Sequence, residues 1–74
     1  PDEAGRIAAL QSLALVHMMA SRWPETRDCA AEAITRAAAL GRNALALDAA
    51  RLHGQALVQL GRAAEAVQAL QELQ

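Results

Sequence analysis

Seventy-four residues suffice for one small domain whose own core contributes only a few kcal/mol, so burial against further protein is the natural expectation. Hydrophobic residues make up 54% of the chain, yet Phe and Tyr are absent, Trp occurs once and twenty positions are Ala, a composition suited to helices that approach closely. The seven basic residues, all Arg, are interspersed with eight acids for a formal charge of -1; no basic block tracks a phosphate backbone, which argues against nucleic acid as a direct partner.

The first segment places Ile7, Leu10, Ala14, His17 and Ala20 at three- and four-residue spacing, an apolar helix face of about four turns, and Asp2 stands where a cap belongs. Its uncharged run, Ile7 to Ser21, contains Gln11, Ser12 and His17 and is too short and too polar to span a bilayer. Asp2 and Glu3 do not read as a signal peptide. Trp23-Pro24 ends this helix, because the residue before proline avoids the α region while proline suits the first turn of the next. Glu25 and Asp28 come next, where the helix dipole favours acids. The second helix runs through Ala30, Ala33, Ile34 and Ala37 to Leu40, and Gly41 supplies its left-handed terminus. The lone Cys29 excludes an internal disulfide and fits a reducing compartment, so the expected location is cytoplasmic.

Asn43 is a reasonable cap for a third helix with Leu45, Ala49, Leu52, Ala56, Leu57 and Leu60 on one side and Gly61 at its end. Gly54 lies inside it, and its cost relative to Ala points to close backbone contact with a neighbour. A fourth helix from about Arg62 would turn Ala66, Val67, Leu70 and Leu73 inward. Short loops make consecutive helices antiparallel. The expected fold is all-α, with four helices in two antiparallel hairpins.

A shift of forty residues brings Arg22 onto Arg62, Glu25 onto Glu65, Glu32 onto Glu72, Ala9 onto Ala49 and Ala4 onto Ala44, and aligns the boundary after residue 21 with one after residue 61. The chain then divides into one repeat over about 4–41 and a second over about 43–74. The stretch "RLHGQALVQLGRAAEAVQALQEL", Arg51 to Leu73, resembles a tetratricopeptide repeat, with a small residue at Gly54, Leu57 three later, "LGR" at 60–62 and "EA" at 65–66. The upstream unit departs from that pattern, with Ala14 in the glycine position, His17 for Leu57 and Thr26 for Ala66. Large aromatic residues and a closing proline are missing, and the spacing exceeds the usual thirty-four. Phrases such as "CAAEAITRAAALG" also resemble the helical-repeat regions of large bacterial signal-responsive regulators, so the segment is expected to belong to a larger protein.

The resemblance implies a stack of helix pairs whose first helices line a concave surface for a peptide or partner domain. Carried over by position, that lining is Gln11, Leu15, Met18 and Met19 with Asp48, Arg51, Gln55, Val58 and Gln59. Leu15, Met18 and Met19 also lie off the Ile7–Leu10–Ala14 face, and methionine adapts to varied partners. Each feature has a plainer reading beside the functional one. Met18 and Met19 are either a partner patch or core against another repeat, Trp23 packs over a helix junction or anchors a neighbour, and Arg51 with Gln55 and Gln59 is either a polar grip or an exposed face. Arg62 and Glu65 are a helix-start pair worth a few tenths of a kcal/mol.

His17, Cys29 and His53 are the residues chemically able to bind a soft metal or to form a nucleophile and base. Their separation and the lack of a second cysteine favour packing roles, so no metal, cofactor or enzyme activity is expected. The reading is a protein–protein interaction scaffold. The alternative is a self-associating four-helix domain that forms a homodimer through its Met and Leu patch.

Overall fold

A computed structural model describes the backbone of residues 2–72, and the side chains of all of these but Glu65, Ala66, Ala69, Leu70 and Glu72. The described chain is all-helical, with three helices: α1 (Glu3–Met19), α2 (Trp23–Ala39) and α3 (Asn43–Glu72). The four-helix, two-hairpin expectation is therefore corrected to one antiparallel hairpin and then a single long helix. Gly61 lies inside α3 rather than at its end. The expected inward positions of Ala66 and Leu70, the Arg62–Glu65 pair, and Leu73 fall outside the described side chains or residues.

Asp2 caps α1, its carboxylate accepting from the Gly5 amide at 3.0 Å, and Pro24 sits in the first turn of α2, both as their residue types dictate. The two junctions share one geometry. Ala20, Ser21 and Arg22 at the first correspond to Leu40, Gly41 and Arg42 at the second. Ser21 and Gly41 are both left-handed, at φ 58° and 69°. The Arg22 amide donates to the His17 carbonyl at 2.8 Å, and the Arg42 amide to the Ala37 carbonyl at 2.9 Å. The Ser21 and Gly41 amides close the inner bonds, to Met18 and Ala38 at 3.0 Å each. Each arginine then opens the next helix through its carbonyl, which accepts from Thr26 at 2.9 Å and from Ala46 at 3.0 Å. Asn43 is thus the first residue of α3, and its expected capping place is taken by Arg42.

Leu60-Gly61-Arg62 repeats the triplet Leu40-Gly41-Arg42, yet the chain does not turn there. The difference lies in the residues just beyond each triplet. Trp23-Pro24 and Asn43 discourage continuation of the preceding helix, whereas Ala63 and Ala64 are the strongest helix formers. Their propensity outweighs the cost of about 1 kcal/mol of an interior glycine.

The core centres on Ile7 of α1, Ala33 and Ala37 of α2, and Ala49 of α3, with Leu10, Ile34, Leu45 and Ala46 packed around it. Among the described residues, six of the seven fully buried apolar side chains are alanines: Ala14, Ala30, Ala33, Ala37, Ala49 and Ala56. Small side chains let the helices lie close, and α2 is the central element, packing against both neighbours while α1 and α3 touch each other least. Thr26 is the one buried polar side chain among the described residues, and its hydroxyl donates to the Arg22 carbonyl at 2.9 Å. Leu57 and Val67, expected to point inward, are exposed. A Cβ added at Gly54 would meet no atom within 4 Å, so close backbone approach does not explain that glycine.

Candidate functional site

Two surfaces remain after the core is assembled. On α1 the inward face is Ala4, Ile7, Leu10, Gln11, Ala14, His17 and Met18, all buried or half-buried. The outward face carries Ala8, Ala9, Ser12, Leu13, Leu15, Val16 and Met19, and bears no charge between Arg6 and Arg22. Met19 is 83% exposed and Val16 59%, whereas a solvated helix face ordinarily carries charge.

On α3 the spacing of three and four residues places Asp48, Arg51, Gln55, Val58 and Arg62 on one exposed stripe, with Leu47 and Leu57 exposed beside it. Among the described residues Asp48 and Arg51 make no ion pair. Gln59 is turned toward the interior and is half-buried.

The nine residues singled out from the sequence thus separate by environment. Leu15 and Met19 share the outer stripe of α1, and Asp48, Arg51, Gln55 and Val58 share that of α3. Met18, expected on the outer patch, falls on the inward face of α1 instead, and Gln59 is likewise turned inward; both are half-buried. Gln11 has a structural task that periodicity did not disclose: its side-chain amide donates to the Leu45 carbonyl at 3.1 Å and ties α1 to the start of α3.

Electrostatics knit α1 to α2 away from these surfaces. The Arg36 guanidinium lies 3.2 Å from Glu3 and 3.2 Å from Glu32, bridging the two helices. Hydrogen bonds from Arg36 to Glu32 and Glu3 raise its already high pKa. Arg27 and Asp28 form a separate exposed pair at 2.9 Å. Burial pushes the Cys29 thiol up, aided by the carboxylates of Asp28, Glu32 and Glu25, so it stays protonated at neutral pH. His17, Cys29 and His53 are each half-buried, one on each helix. The described residues contain no cluster of three potential metal ligands and enclose no pocket. No helix among them is long and apolar enough to cross a membrane.

What the arrangement can do chemically is present apolar and polar stripes to a macromolecular surface. The signal for the α1 face was the uncharged run from residue 7 to 21, visible in the letters but ambiguous between core and surface until the inward stripe was known. Comparison with protein-family models, with curated proteins and with solved structures found no match for this chain.

Proposed function

We propose that the chain is a protein–protein interaction module, a helical scaffold segment that binds a peptide or partner domain across the faces of α1 and α3. It acts by binding rather than by catalysis, needs no cofactor, and works in the cytoplasm. α1 and α2 form one helix pair, and α3 runs on through Leu60-Gly61-Arg62, where the tetratricopeptide-like resemblance places a turn, so the reading rests on the exposed faces rather than on that resemblance.

One observation carries this reading: the sizes are inverted. Alanines fill the interior, while Leu13, Leu15, Val16, Met19, Leu47, Leu57 and Val58 face outward. Burial of apolar area contributes about 25 cal/mol per Å², so these outward side chains hold hydrophobic stabilisation that a partner would realise. Asp48, Arg51 and Gln55 add orientation, since the planar guanidinium can take a carboxylate or a main-chain carbonyl.

The test is selection of binding peptides from a displayed library, then titration calorimetry of the selected peptide. Arg51→Ala and Val58→Asp, both at exposed positions, are expected to weaken binding at least tenfold with unchanged circular dichroism. Selection of no peptide, or equal affinity of both variants and the parent chain, would defeat the reading.

A further inference from the structure

The outer stripe of α1 is ordered by size. Gly5, Ala8, Ala9, Ser12, Leu15, Val16 and Met19 recur at helical spacing and all are exposed. The small members occupy the N-terminal half and the large ones the C-terminal half, with Ser12 at the midpoint. Beyond the two ends stand opposite charges, Asp2 and Arg22, both exposed.

We propose that α1 pairs antiparallel with α1 of a second copy of this chain, about a two-fold axis through Ser12. The inference rests on the interaction reading and assigns α1's share of it, so that Leu15 and Met19 meet the second copy and the α3 stripe is left for a peptide. In this register Leu15 lies against the partner's Ala9, Val16 against the partner's Ala8, and Met19 against the partner's Gly5. Asp2 faces the partner's Arg22.

Three arguments select a second copy as the occupant. The stripe is self-complementary only when reversed on itself, because a parallel pair would set large against large at one end and leave a gap at the other. The absence of charge from Ile7 to Ser21 means that two copies meet without like-charge repulsion, while Asp2 and Arg22 attract across both ends. The extent fits a reversible pair: a 17-residue helix is about 25 Å long and 10 Å wide, a footprint below the roughly 800 Å² per partner of a standard stable interface.

Sedimentation equilibrium from micromolar to millimolar concentration tests this on the whole chain. The weight-average mass is expected to rise from 7.8 kDa toward twice that value. Val16→Asp should hold it at the monomer value. Ala9→Leu should weaken the pair about tenfold by filling the gap that Leu15 enters, whereas unspecific apolar association would grow stronger. Asp2→Asn, which keeps the cap, should weaken it several-fold. In a Cys29→Ser background, Ser12→Cys should cross-link across the axis much faster than Ala8→Cys, whose two copies would lie about 12 Å apart along the helices.

A monomer mass throughout, a dimer indifferent to Val16→Asp, a dimer strengthened by Ala9→Leu, or equal cross-linking at residues 8 and 12 would each overturn the proposal. Peptide binding sensitive to Arg51→Ala is read separately. If it persists while pairing fails, only this inference falls; if both fail, the interaction reading falls with it.

Discussion

Ser21 holds a left-handed backbone at φ 58°, a conformation that costs L-residues with a Cβ, and Ser lacks the local preference that excuses Asn or Gly there. The equivalent position in the second junction is Gly41. Ser21→Gly is therefore expected to stabilise the chain by about 0.5–1 kcal/mol, read as a higher midpoint in urea at unchanged slope. At Gly54 the backbone is helical and a Cβ would meet nothing within 4 Å. Gly54→Ala should also stabilise, by about 1 kcal/mol, through lower backbone entropy of the unfolded state. A loss of stability would mean that the open space beside Gly54 is filled in solution. Neither result was legible in the sequence: a serine does not announce a positive φ, and an interior glycine looks the same whether a neighbour presses on it or not.

At the level of elements, the helices were readable because their boundaries carry chemistry of their own. Asp2 caps, Pro24 starts α2 and Gly41 ends it, each through a local effect that needs no tertiary contact. The missed feature is the twenty-residue recurrence of the junction, with Arg22, Arg42 and Arg62 in register, which a forty-residue shift passes over. Its third copy failed to turn because Ala63 and Ala64 extend the helix, and the competition was between propensity and punctuation rather than between two packings. Ala33 shows what holds the elements together. It is fully buried in the cluster with Ile7, Ala37 and Ala49. Ala33→Leu should destabilise by about 1–3 kcal/mol through overpacking, measurable by thermal unfolding. A neutral outcome would show that α2 is less tightly enclosed than its burial implies.

For the molecule as a whole, the length of α3 is decisive. Its 30 residues span about 45 Å, against about 25 Å for the 17 residues of α1 and of α2, and the molecule extends 54 Å along its longest axis. Ala49 and Ala56 are buried, whereas Arg62, Ala63, Ala64, Val67 and Gln68 are all exposed. Native-state hydrogen exchange should accordingly show the amides near Ala49 and Ala56 exchanging far more slowly than those of Val67 and Gln68. Uniform protection along α3 would point to a second surface covering its far half. Gln11 belongs to this scale too, since its bond to the Leu45 carbonyl links α1 and α3, which otherwise meet least.

The letters alone determined that this protein is helical, where α1 and α2 begin and end, and which stripe of those two helices lies inside, because propensity, caps and period act within a few residues of one another. Only the tertiary structure decided that Gln11 bridges two helices and that Leu57 and Val67 are left facing water. Those outcomes depend on which surfaces remain once α2 has been packed on both sides, a balance among elements distant in the chain that no single stretch encodes.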